Sequence, residues 1–219
     1  MDNSPDARVE TAVSLYTPRL LRVYDRLLLG LYGRFVWRCP PRHIVALYDR
    51  HVTANHLDIG VGTGYFMERC RFPSASPRLA LLDYSPNSLA AASQRLSRYH
   101  PEVYRRNVLE PFRLDAPAFA SVGMANLLHC LPGNLKSKGV VFEHARAVMN
   151  PGAVLFGCTI LGQGVKQTFL SNSTLKYSNR RGIMTNLDDS LEDLQDSLRR
   201  HFRESAVAVI GCEALFWAR

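Results

Sequence analysis

In the first fifty residues, apolar positions recur three and four apart, at Leu20-Leu21, Val23-Tyr24, Leu27-Leu28 and Leu31. That spacing predicts amphipathic helix. Cys39-Pro40-Pro41 breaks it, because proline lacks an amide donor and clashes inside a helix, and Arg42 to Val52 resumes as a second helix. From His56 the pattern changes to short apolar runs alternating with helical segments. Leu57-Asp58-Ile59 is a strand entering a glycine loop, and Tyr65 to Cys70 starts a helix. Leu79 to Leu82 is a buried strand ending at Asp83. Ser85-Pro86-Asn87 opens a helix, with proline tolerated in the first turn, and Leu89, Ala92, Leu96 and Tyr99 follow at helical spacing. Val103 to Val108 and Ser121 to Leu127 read as the third and fourth strands. Val140 to Met149 reads as a helix, Asn150-Pro151-Gly152 as a turn, and Ala153 to Ile160 as a fifth strand, apolar on both faces like a central strand. Leu187 to Phe202 is an amphipathic helix. Ser205 to Ile210 and Glu213 to Ala218 flank Gly211-Cys212 as an antiparallel pair.

Alternating strands and helices predict an α/β fold around a parallel sheet. We read residues 1–219 as a single catalytic domain. A helical cap or lid covers 1–53, and the core of 54–219 carries a lid or substrate segment near 164–189.

Composition narrows the setting. Apolar residues make up 47% and charged residues 21% of 219, enough apolar material for a full core. No apolar run reaches the ~20 residues of a bilayer span. Met1 to Val13 lacks the basic start and apolar stretch of a signal peptide. The five cysteines are scattered and odd in number, with no Cys-x-x-Cys. They suggest no metal site and fit a reducing cytoplasm. The net charge is +8, with arginines at 19, 22, 26, 34, 38 and 42. Such an excess suits nucleic acid, a membrane surface, an acidic substrate or simply a solvated face. The arginines do not form one run and no nucleic-acid motif accompanies them, so nucleic acid and membrane are not expected partners.

The densest chemistry is Leu57-Asp58-Ile59-Gly60-Val61-Gly62-Thr63-Gly64. Alternate glycines after a strand let the backbone turn sharply and approach a ligand. About 20 residues beyond Gly64, Asp83 ends the next strand, where a carboxylate can accept from both hydroxyls of a ribose. No Gly-Lys-Ser/Thr follows, which excludes a phosphate-binding P-loop. Gly-x-Gly-x-Gly differs from the dinucleotide pattern, and Asp58 would repel a pyrophosphate but attract an ammonium.

These residues resemble motif I of the class I S-adenosylmethionine (SAM)-dependent methyltransferases. Four later segments agree with that family in order and spacing. Asp83-Tyr84-Ser85 resembles its ribose-binding strand end and Asn107-Val108-Leu109-Glu110 its adenine-binding turn. Asn126 to Leu131 resembles the fourth-strand end that faces the methionine part, with Leu128 in it. Met149-Asn150-Pro151-Gly152 resembles the turn before the fifth strand, with Ala153 in place of a second glycine. The resemblance spans about residues 55–160. It implies a Rossmann-like, seven-stranded, mostly parallel sheet with helices on both faces and an antiparallel C-terminal strand pair, behind the N-terminal helical cap. It also implies that Gly60, Gly62 and Gly64 approach the amino-acid end of SAM, that Asp58 holds the ammonium and Asp83 the ribose, and that Asn107 and the Val108 amide read adenine. Tyr84 lies beside the adenine or packs in the sheet.

The family's commonest reaction places a nucleophile in line with the sulfonium methyl and excludes water, and aromatic faces can stabilise the sulfonium. Tyr16, Tyr24, Tyr32, Tyr65 and Tyr177 are available. Of these, Val23-Tyr24-Asp25 resembles the lid helix of small-molecule methyltransferases. His129 is a base, a wall of the methionine pocket or a hydrogen-bonded strand-end histidine. With no large inserted acceptor domain, a small-molecule acceptor of secondary metabolism is expected, or none beyond SAM. The second case would match the azetidine-2-carboxylate synthase branch, in which SAM cyclises with loss of methylthioadenosine; Leu128 to Gly133 and Arg180 to Ile183 resemble that group too. Amino-methylating nucleic-acid enzymes usually carry Asn/Asp-Pro-Pro-Tyr where this chain has Asn126-Leu127-Leu128-His129. A non-catalytic SAM-binding subunit would bind SAM and consume none.

Overall fold

The structure, a computed structural model, describes residues 25–219. The stretch before Asp25, including the expected helical positions Leu20 to Tyr24, lies outside the described residues.

Two helices precede the sheet. The first, α1 (Asp25–Val36), is wound wide, and its end closes with Trp37 N–H donating to Tyr32 O five residues back. After Cys39-Pro40, α2 (Pro41–His51) starts with proline in its first turn and buries Ile44 and Tyr48. The core then alternates. Strand β1 (Asn55–Ile59) leads to α3 (Tyr65–Arg69), and β2 (Arg78–Asp83) to α4 (Pro86–Arg95), whose N-cap Ser85 accepts from Ser88 N–H. Next come β3 (Glu102–Arg105), β4 (Phe119–Ala125), α5 (Leu135–Lys138), α6 (Val140–Arg146) and β5 (Met149–Ile160). Last are α7 (Phe169–Arg180), α8 (Leu191–His201), β6 (Ser205–Ile210) and β7 (Glu213–Ala218).

The seven strands form one sheet in the order β3-β2-β1-β4-β5-β7-β6. The first five are parallel and the last two antiparallel. Strand alternation sorts the side chains. On one face, Leu57, Ile59, Leu82, Val122, Met124, Phe142 and Phe216 share a core with α6 and α8. On the other, Tyr48, Phe66, Met67, Leu79, Leu81, Leu89 and Phe156 share a core with α2, α3 and α4. Asp58 alternates with Leu57 and Ile59, so it points to the α2 side and is only 3% exposed there.

Five expected boundaries shift. The fourth strand runs Phe119–Ala125 rather than Ser121 to Leu127, because Asn126 at φ +59° leaves the extended conformation. The third strand stops at Arg105 rather than Val108, because Asn107 Oδ1 accepts from Leu109 N–H and turns the chain out of the sheet. Asn150-Pro151-Gly152 is a bulge inside β5 rather than a separate turn. Phe119 pairs with Met149 but Ser121 with Val154, and Gly152 absorbs the extra residues at φ +76°. Helix α6 ends at Arg146, short of Met149. Helix α8 starts at Leu191 instead of Leu187, because Ser190 caps it by accepting from Asp193 N–H while Asp189 O accepts from Gly162 and Gln163 N–H. Two helices were not foreseen, the short α5, capped by Asn134 accepting from Ser137 N–H, and α7. Helix α7 buries only Ser171, Leu175 and Ser178, too few apolar positions for a periodic signal; its reciprocal Thr168–Ser171 capping box was the readable cue.

Candidate active site

The C-terminal ends of β1, β2 and β4 and the turn after β3 open onto one cleft of about 1020 Å³, counted out to its mouth. Its lining includes Asp58, Gly60, Gly62, Gly64, Asp83, Tyr84, Asn107 and Val108. The structure thus gathers eight of the sequence-derived candidates around one space.

The glycine loop is built for close approach. All three glycines have positive φ, a region that side chains rarely adopt. A Cβ on Gly60 would meet Leu127 at 2.8 Å, and one on Gly64 would crowd Leu96 and Ala92. Among the described residues, a Cβ on Gly62 would meet nothing within 4 Å, so their packing does not account for that open cradle. The loop is also tied to the cap. Thr63 Oγ1 donates to Asp25 Oδ1 (2.6 Å), and Arg95 donates to Asp25 Oδ2 (2.6 Å) and Thr63 Oγ1 (3.1 Å). Leu29 of α1 lines the cleft as well.

Asp58 is held by residues far apart in sequence. The Tyr48 hydroxyl donates to its Oδ2 at 2.7 Å, and His56 Nε2 approaches the same oxygen at 3.4 Å. A carboxylate can only accept, so His56 donates from Nε2, and its Nδ1 lies 2.9 Å from Ser121 Oγ. Gly123 makes room, since a Cβ there would stand 2.8 Å from Asp58 Oδ2.

Asp83 is held mainly by backbone. Ser85 N–H donates to Oδ1 (2.8 Å) and Gly62 N–H to Oδ2 (3.4 Å). Burial pushes its carboxyl up to about 6, against these amide bonds, which favour the ionised form. Beyond it, the Tyr84 ring lies 5.4 Å from the Arg105 guanidinium. The Asn107 side chain is committed to its own turn, donating to Glu110 Oε1 (2.8 Å) while Oδ1 accepts from Leu109 N–H.

Of the expected catalytic residues, His129 and Tyr177 do not line this cleft. Tyr24 lies outside the described residues. Tyr177 is 59% exposed on α7 and does not line the cleft. His129 is buried, and its Nδ1 accepts from Ile160 N–H at 3.3 Å. Burial, reinforced by Lys138, pushes it down to about 3, so it is neutral at physiological pH. That geometry is the hydrogen-bonded strand-end histidine. Leu128 is fully buried in the core, and its neighbours Leu127, Cys130 and Leu131 line the cleft instead.

Sequence reasoning missed Tyr48, His56, Gly123 and the Asp25–Thr63–Arg95 clasp. Tyr48 and His56 carried no motif, and only sheet register and helix packing bring them to Asp58. Asn126, inside a quoted segment but not singled out, lines the cleft at φ +59°.

Comparison with known proteins identifies the architecture. Residues 57–155 match the family model described as a methyltransferase domain. The chain is 41% identical over 217 residues to demethylluteothin O-methyltransferase from Streptomyces thioluteus, covering 99% of this chain and 94% of the relative. The chain belongs to the class I SAM-dependent methyltransferases. This methyltransferase is also 37% identical over 211 residues to the physcion biosynthesis cluster O-methyltransferase of Aspergillus chevalieri, covering 95% of each. Among solved structures, the DhpI–SAH complex superposes on the methyltransferase with a TM-score of 0.68, at 17% identity and 96% coverage of both chains. That likeness bears on the fold, which is the seven-stranded sheet expected. Both named relatives are methyltransferases, which favours methyl transfer over intramolecular cyclisation of SAM. Among the described residues, no helix is long and apolar enough to cross a membrane, and no group of three or more His, Cys, Asp and Glu side chains could hold a metal.

Proposed function

We propose that this methyltransferase moves the methyl group of SAM to a hydroxyl oxygen of a small secondary-metabolite acceptor. The observation that carries the donor half is the pair of acceptor-only carboxylates, Asp58 and Asp83, flanking an open glycine cradle on one cleft. Asp58 would accept from the ammonium, Asp83 from the ribose hydroxyls, and the Val108 amide from one edge would meet the adenine. Gly62 would let the backbone approach the amino-acid end. The Asn107 side chain, committed to its turn, would shape the adenine subsite rather than read it. Support for an oxygen acceptor comes from the two O-methyltransferase relatives, which match this chain over nearly its whole length.

SAM supplies an electrophilic methyl group on a sulfonium. The acceptor oxygen forms the new C–O bond, the C–S bond breaks with its electron pair kept on sulfur, and the hydroxyl proton goes to water. The chain's part is to hold both partners in line and to exclude bulk water. The Asp25–Thr63–Arg95 clasp serves this by holding α1 against the glycine loop. Residues 1–53 act as cap and the segment near 164–189 as the acceptor-side cover of one catalytic unit.

The test is to incubate the purified protein with SAM and a panel of phenols, enols, amines and no acceptor, and to follow S-adenosylhomocysteine (SAH), methylthioadenosine and methylated products by mass spectrometry. Formation of SAH with an equal amount of a product 14 mass units heavier than a hydroxyl compound is expected. Turnover of amines alone would overturn the oxygen assignment. Methylthioadenosine formed without acceptor would replace methyl transfer by cyclisation.

A further inference from the structure

The strand order runs the cleft from Val108 and Asp83, past Asp58, to Asn126 at the end of β4. Asn126 is the polar side chain at the end opposite the proposed adenine subsite. Its backbone holds an unusual state, φ +59° in a non-glycine residue, and such strain persists where the surroundings over-determine it. Here they do. Asn126 N–H donates to Cys158 O at 2.9 Å, and the buried Cys158 Sγ–H donates to Asn126 Oδ1 at 3.5 Å. These bonds to β5 set the orientation of the carboxamide. With Oδ1 turned to the thiol, Nδ2 is the free end, and no acceptor for it is present among the described residues. Behind the thiol, Glu213 is buried on β7, and burial, reinforced by the Glu213 carboxylate, holds Cys158 in its protonated, donating form.

We propose that Asn126 contacts the methyl acceptor, its Nδ2 donating to the nucleophilic oxygen at the point where the methyl is transferred. The inference rests on the methyl transfer proposed above. Donated N–H bonds favour the ionised oxygen and fix its direction of attack. An oxygen can accept from Nδ2 through one lone pair while it attacks through another, whereas a neutral amine has a single lone pair and uses it in the attack, so the residue also selects for oxygen.

The test needs no knowledge of the acceptor. In sinefungin, a carbon bearing a protonated amine replaces the methylated sulfur of SAM, so the molecule puts a cation at the transfer point; SAH is neutral there. Affinities of both are measured by calorimetry on wild type, Asn126→Ala and Asn126→Asp. Asn126→Ala is expected to keep SAH affinity within about threefold, since Asp58 and Asp83 carry that binding. Asn126→Asp turns the donor into a carboxylate, and its preference for sinefungin over SAH is expected to rise at least about tenfold. An unchanged preference would overturn the proposal, as would a loss of SAH binding above about tenfold in Asn126→Ala, which would make Asn126 a donor-binding residue. Should Asn126→Asp fail to fold, the side-chain NH2 resonance of wild-type Asn126 is compared between the two complexes. A distinct shift is expected, and identical positions would overturn the proposal. Failure of wild type to bind SAH would instead refute the SAM site itself.

Discussion

The two ends of the cleft are built on different principles. At the proposed adenosyl end, Asp83 is fixed by the amides of Ser85 and Gly62, that is, by the loop that follows it and the loop beside it. At the proposed acceptor end, Asn126 directly follows β4 while Cys158 lies in β5 and Glu213 in β7, and strand pairing brings them together. Asp58 stands between, on a local motif but held by Tyr48 and His56 from outside it. A site made from local backbone leaves a sequence signature, and one made from strand register does not.

The contrast can be broken most strongly at Asp83. Asp83→Ala removes a carboxylate that would accept from two hydroxyls, and hydrogen bonds to charged groups are worth about 1.5–3 kcal/mol each. SAM and SAH affinity is expected to fall by a factor on the order of a hundred or more, read by calorimetry, with the fold intact by circular dichroism.

The glycines separate packing from ligand approach. Gly60→Ala drives a Cβ into Leu127 in a positive-φ backbone, so it should lose both affinity and thermal stability, by about 1–3 kcal/mol for the latter. Gly62→Ala meets no atom of the described residues within 4 Å, so it should lose more affinity than stability. Equal stability losses in the two would show that the Gly62 position is structural.

Tyr48→Phe leaves Asp58 without its shortest donor. A buried acceptor stripped of a partner costs about 1–3 kcal/mol, to be read by denaturant unfolding at neutral pH. Glu213 tests the opposite end through pH. Burial raises its carboxyl from the ordinary 4.5 to about 7, so the native state holds an extra proton between those values. Its contribution to stability is therefore full below about 4.5 and is lost as pH rises through about 7. Glu213→Gln, neutral throughout, should gain in melting temperature over wild type between pH 5 and pH 8, by about 2–4 °C for each kcal/mol recovered. A difference that does not change with pH would refute the buried titration. The smallest effect belongs to Tyr177→Phe: on an exposed helix face it should shift stability and SAH affinity by no more than about 0.5 kcal/mol.

Much of the fold was legible because its causes are short-range. Alternating apolar runs, Pro41 and Pro86 in helix first turns, and the glycine loop each act within a few residues, and all seven strands lie near their expected positions. The boundaries that moved did so through side-chain bonds, at Asn107 and Ser190, and through the bulge at Gly152. Helix α7 stayed hidden because a half-exposed helix with few buried positions carries little period.

By itself, the sequence determined a parallel α/β sheet with a SAM-type loop and a carboxylate one strand away, because hydrophobic period and backbone freedom are local properties. Only the tertiary structure decided that His129 is buried and neutral, that Leu128 belongs to the core, that Tyr48 and His56 hold Asp58, and that Asn126 is tied to Cys158 of the neighbouring strand. Each of those depends on which strand lies beside which, and strand order is set by burying both faces of the sheet at once, a condition that no short segment can express.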